Sequence, residues 1–115
     1  MAVLARPLRA VEAAHDRLGL SYREIADALR ADESTVHRWR SGVTEPSAVF
    51  VDRLEALQEL VDEARRTFRS YGVARSWLDR EVPDLGGRSP RSVIVTGRLE
   101  QVTRLLLGLN LGMTG

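Results

Sequence analysis

A chain of 115 residues suffices for one compact domain, or for two very small ones sharing a core. Its formal net charge is +1, so bulk charge does not drive nucleic-acid binding, and any DNA contact depends on where individual arginines stand. Cysteine is absent, which excludes disulfides and thiolate metal sites; with no long apolar run and no signal-like N-terminus, a soluble cytoplasmic protein away from membranes is expected.

The first apolar pattern is Leu8, Val11, Ala14 and Leu18, spaced for a helix, with Gly19 placed to end it. Ser21-Tyr22-Arg23-Glu24 then reads as a capping box: the serine accepts from the third helical amide and the glutamate reaches back to the cap amide. Ile25, Ala26 and Leu29 form the inner face of this second helix, which stops near Arg30-Ala31. Asp32 opens a third helix with Val36 and Trp39 on one side, and Gly42 closes it. Pro46 suits a place at or near the first turn of a fourth helix over about residues 46–69. Phe50, Leu54, Leu57, Val61, Ala64 and Phe68 alternate by four and three along it, an a/d seam that packs on a helix of its own chain or of a second copy. Val49, Val51 and Leu60 widen the apolar face and favour a globular core.

From Tyr71 the texture changes. A short helix is expected with Val73, Trp77 and Leu78 inward, ended by Pro83. LGGRSP follows at residues 85–90, then SVIVTG, then a last helix over about residues 98–109. Val93-Ile94-Val95 has strand propensity, but Ser89-Pro90 is a cap followed by an N1 proline and Gly97 sits at a stop. A lone strand would lack a partner, so a short helix at residues 90–96 is predicted.

The second and third helices have the layout of a helix-turn-helix, with Ala26 allowing close approach. The third would present Ser34, Thr35, His37 and Arg38 to DNA, with Arg38 able to take a guanine bidentately and Tyr22 and Arg23 near the phosphate backbone. Residues 1–45 hold seven arginines against seven acids, and Glu33 would repel phosphates. Weak monomer binding is therefore expected, with dimers on paired half-sites if DNA is bound. LGGRSP fails as a phosphate cradle, because it has neither the lysine nor the preceding strand of a P-loop. Its glycines fit positive-φ turn geometry, and Arg88 is the residue a turn does not require. In the last helix Leu99, Val102, Leu105, Leu106 and Leu109 make an inward stripe, while Leu107, Leu111 and Met113 lie elsewhere. A terminal helix apolar nearly all round is expected to dock on another protein. Two histidines and scattered carboxylates give no metal or nucleophile constellation, so neither an enzyme nor a cofactor is expected.

Trp77-Leu78, then Leu85-Gly86-Gly87-Arg88-Ser89-Pro90, then Thr96-Gly97 and finally Val102, Leu105 and Leu106, behind a helix-turn-helix, resemble the Xre/MbcA/ParS antitoxin family. Arg91 departs from its pattern, which more often has an apolar residue there. The resemblance implies an all-α antitoxin of a type II toxin-antitoxin system. Its helix-turn-helix domain would occupy residues 1–45, a long connecting helix 46–69, and a small toxin-binding domain 70–115. It further implies a RES-domain, NAD-consuming toxin as partner, covered at its active site by the C-terminal region, with Arg88, Leu107, Leu111 and Met113 on the toxin-binding side. Trp77, Leu78, Gly86, Gly87, Ser89, Pro90 and Gly97 would be the structural motif. Operator DNA is the second implied partner, and a homo-oligomer the implied assembly. The competing reading is a stand-alone helix-turn-helix regulator whose C-terminal half only dimerises.

Overall fold

The computed structural model describes residues 5–110, with side chains from residue 8 onward. Seven α-helices account for most of them: α1 Ala5–Leu18, α2 Tyr22–Leu29, α3 Glu33–Arg40, α4 Ala48–Thr67, α5 Tyr71–Leu78, α6 Pro90–Val95 and α7 Leu99–Asn110. A single 3-10 turn, Pro83–Leu85, stands between α5 and α6. Among the described residues there is no strand, only one isolated bridge between Val82 and Arg88. The all-α expectation holds, and the β-branched Val93-Ile94-Val95 run lies in α6.

Local chemistry accounts for most helix ends. The Ser21 hydroxyl accepts from the Glu24 amide at 3.0 Å, and the Ser21 amide donates to Glu24 Oε1 at 2.9 Å, completing the capping box. Ser70 and Ser89 cap α5 and α6 in the simpler way, accepting from the Val73 and Ser92 amides. Asp32 occupies the cap position of α3 but makes no side-chain cap bond. Pro46 stands just before Ser47, the cap of α4, which begins at Ala48. One expectation at a helix end is corrected: Pro83 does not end α5, which stops at Leu78 with Asp79 as cap. Pro83 instead starts the 3-10 turn.

The core runs through the whole described chain. α4 packs on α1 along one side and on α7 along another, so its seam is used within the chain. Leu54, Leu57, Val61 and Ala64 are buried there, with Leu60 beside them, while Phe50 and Phe68 close the ends half-buried. Each fully buried leucine contributes roughly 1.5–3 kcal/mol. Two side chains predicted to widen the core do not enter it: Val49 is 58% exposed and Val73 42% exposed, and Ala74 takes the inward position on α5. In α7, Leu99, Val102 and Leu106 are buried, and Leu105 and Leu109 partly so.

Arginines stitch the later helices to the first three. Arg53 donates to the Leu29 carbonyl at 3.0 Å, and Arg75 donates to the Arg17 carbonyl at 2.8 Å, each satisfying a helix-end carbonyl. Arg30, the left-handed cap of α2 at φ 58°, lays its side chain over Gly97. A Cβ at Gly97 would stand 2.5 Å from Arg30 Nε, so the Arg30 side chain would have to shift, and φ there is +86°, so the backbone conformation itself selects glycine. Arg91 is the strongest stitch. Its Nε donates to Asp79 Oδ1 at 2.7 Å and its Nη1 to Glu24 Oε1 at 2.9 Å, tying α6 to the end of α5 and to the capping box of α2. The departure at this position is thus a polar clamp in place of an apolar contact.

Candidate functional site

The second and third helices meet as the sequence suggests. Ala26, Val36 and Trp39 are buried between them and the core, and Trp39 meets the Phe50 ring edge-on at 5.1 Å. That packing fixes which face of α3 is left free. Ser34, His37 and Arg38 are exposed on it, and Thr35 is half-buried, accepting from Arg38 Nη2 at 3.3 Å. Arg23 is exposed at the start of α2, but Asp27, Asp32 and Glu33 share the shallow depression of about 240 Å³ beside it. The turn side of this surface is therefore acidic, and a phosphate would meet it favourably only at Arg23 and Arg38.

Tyr22 belongs elsewhere. Its hydroxyl donates to Glu12 Oε1 at 3.0 Å, its ring stacks on His15 at 4.0 Å, and the Arg40 guanidinium lies 3.9 Å above its centroid. Arg40 Nε donates to Glu12 Oε2 at 2.6 Å, closing the cluster. Burial and the Glu12 carboxylate together raise the Tyr22 phenol above its ordinary 10.0. Burial also pushes the Glu12 carboxyl up. The hydrogen bonds from Arg40 and Tyr22 outweigh that, and hold it below its ordinary 4.5. The bond to Glu12 raises Arg40 in turn. The Tyr22 hydroxyl is thus engaged with α1, and the side chain clamps α1, α2 and α3 together. His15 joins this clamp through its ring, with Nδ1 2.9 Å from the Leu20 carbonyl. A tyrosine in the first turn gave no sequence signal for this role, because Glu12 stands 10 residues from Tyr22 and 28 from Arg40 in the chain.

LGGRSP folds as a closed turn. The Val82 carbonyl accepts from the Leu85 and Gly87 amides, and the Val82 amide donates to the Arg88 carbonyl at 3.0 Å. Gly86 and Gly87 both take positive φ, at 70° and 82°, with open space where a Cβ would stand, so backbone conformation alone selects glycine. Ser89 caps α6, and Pro90 at N1 is buried. Trp77 is half-buried against Phe68 with ring centroids 5.3 Å apart, and Leu78 is buried. Arg88 stays exposed. Its side chain reaches only the Ser92 carbonyl, at 3.5 Å, and makes no hydrogen bond to α7 among the described residues. Leu107 is 41% exposed on α7, while Leu111 and Met113 lie outside the described residues.

At the far end of α7, Asn110 Nδ2 donates to Glu63 Oε1 at 2.6 Å, and Glu63 is 8% exposed. This bond anchors the last described turn to α4, a contact that neither residue advertises in sequence. No group of three or more His, Asp or Glu suited to a metal occurs among the described residues. No described helix is long and apolar enough to cross a membrane.

The class defined by this fold is an all-helical protein with an N-terminal helix-turn-helix, and the model of the Homeodomain-like domain matches residues 4–48. Over 96 residues, 84% of each chain, the sequence is 28% identical to the mycobacterial cidal antitoxin MbcA of Mycobacterium tuberculosis H37Rv, and equally to that of Mycobacterium bovis. A chain of the crystal structure of the M. tuberculosis MbcT-MbcA toxin-antitoxin complex superposes with a TM-score of 0.69 at 25% identity, covering 92% of this chain and 94% of that one. This chain is thus similar to MbcA antitoxins, in sequence and in fold, over most of its length.

Proposed function

We propose that this protein is the antitoxin of a type II toxin-antitoxin pair. Its partner in this reading is a RES-type toxin that consumes NAD, neutralised when the C-terminal region covers the toxin's active site. The protein itself acts without catalysis or cofactor, in the cytoplasm, as a homo-oligomer within the toxin complex. The observation that carries this reading is the likeness over nearly the full length of both chains to a chain of a toxin-antitoxin complex. The turn at Gly86-Gly87 and the Gly97 corner add to it, because they set α6 and α7 with Arg88 and Leu107 outward. Residues 70–115 form the toxin-binding part in this reading, with Arg88, Leu107, Leu111 and Met113 facing the toxin. The first helices serve autoregulation, with Arg23, Ser34, Thr35, His37 and Arg38 facing operator DNA.

The test is co-expression with a RES-type toxin. The full chain should restore growth and co-purify with the toxin. A chain ending at Gly97 should lose protection. Loss of dimer and promoter binding in that truncation, with no toxin ever captured by the full chain, would identify a stand-alone regulator instead.

A further inference from the structure

Beside α7 the surface sinks into a concavity of about 330 Å³. Arg88 enters it from the LGGRSP turn, Arg98 from the corner after Gly97, and Arg104 from α7 itself. Arg98, Gln101 and Arg104 recur every third residue, so they form one stripe at the start of the helix. All three arginines are exposed, and none has an ion-pair partner among the described residues. Asp84 is the one acid in the lining, and half-buried Leu105 offers a short apolar contact. Elsewhere the chain gives its seam arginines fixed acceptors, as at Arg40 and Arg91. Three guanidiniums facing one hollow repel one another and, apart from the long Arg88 bond to the Ser92 carbonyl, leave their forked donors to water.

We infer that this groove receives a carboxylate-rich segment of the toxin, with Arg88, Arg98 and Arg104 as its ion-pairing residues. The inference deepens the antitoxin reading and rests on it. Guanidinium forks match carboxylates bidentately, and a hollow excludes water around the pairs so that each is worth more than on an open surface. The shape favours a protein segment over DNA. A duplex backbone runs far beyond a hollow of this size, whereas the concavity has room for a few side chains. The groove is also built by the 3-10 turn, α6 and α7, whereas α3 packs chiefly on α2.

The experiment is calorimetric titration of the full chain with catalytically disabled toxin, at low and high salt, alongside a duplex from the chain's own promoter. Arg98→Glu with Arg104→Glu should weaken toxin binding about a hundredfold or more. Asp84→Asn should tighten it by about threefold, since it removes the groove's own negative charge. A variant that merely damaged the fold could not tighten binding, and circular dichroism checks that the double variant stays folded. Added salt should weaken the wild type more than the double variant. A double variant that binds toxin as tightly as wild type overturns the groove while leaving the antitoxin reading intact. A double variant that keeps the toxin but loses the duplex overturns it in favour of nucleic acid. A wild-type chain that never binds toxin overturns both readings.

Discussion

The clamp around Glu12 and the groove beside α7 use the same side chain in opposite ways. In the first, Arg40 reaches Glu12 and covers the Tyr22 ring, so its charge is consumed in holding three helices together. In the second, Arg88, Arg98 and Arg104 are exposed and form no ion pair within the described chain, although Asp84 shares the groove. Arg91 belongs with the first group despite standing three residues from Arg88: its bonds to Asp79 and Glu24 join the two regions. The contrast shows that an arginine-only basic complement carries no functional message by itself. What separates a brace from a binding residue is whether the fold supplies an acceptor.

The comparison can be broken at three points. The largest effect is expected where the helix-turn-helix meets the long helix. Trp39→Ala should cost about 3–5 kcal/mol, because the ring is 2% exposed and its removal leaves a cavity against Phe50. Urea denaturation measures this, and a midpoint equal to wild type would contradict the packing described. Next comes the brace itself. Arg91→Ala should cost about 1.5–3 kcal/mol through two lost charge-assisted bonds, while Arg98→Ala in the groove should stay within about 0.5 kcal/mol. Equal losses at the two positions would erase the distinction between brace and groove. Arg91→Lys should recover only part of the stability, since one ammonium cannot reproduce a fork set between Asp79 and Glu24.

The smallest effect concerns pH. Glu12 is held below 4.5 in the folded protein, so the folded chain keeps this carboxylate ionised where the unfolded chain begins to bind a proton. Its contribution is therefore fully present above the unfolded value near 4.5 and is lost as pH falls through the lower folded value. Glu12→Gln should flatten that portion of the acid unfolding curve followed by circular dichroism. An identical acid limb in both proteins would show that the Arg40 and Tyr22 bonds do not favour the ionised carboxyl.

Much of the local structure was legible from short-range chemistry. The Ser21–Glu24 capping box, the Ser89-Pro90 start, the seam of α4 and the positive-φ glycines of LGGRSP each depend on residues within a few positions of one another. Misreadings arose where local preference met a constraint from elsewhere. Val73 carries an apolar side chain, yet the orientation of α5 against α1 and α4 turns Ala74 inward and leaves Val73 out. The Tyr22 bond to Glu12 was not legible from the turn that Tyr22 starts, because the acceptor stands on α1. The glycine of the Thr96-Gly97 corner was recognisable as a helix stop, but its closeness to Arg30 was not.

By itself the sequence determined the number and kind of helices, the position of the helix-turn-helix and the turn that starts α6, because capping, helical periodicity and glycine dihedrals act over three or four residues. Only the tertiary structure decided which arginines are braces and which are free, and that α4 spends its seam on α1 and α7 of its own chain. Those outcomes depend on distances between residues far apart in the chain, such as Arg91 and Glu24 or Asn110 and Glu63, which exist only once the core has closed.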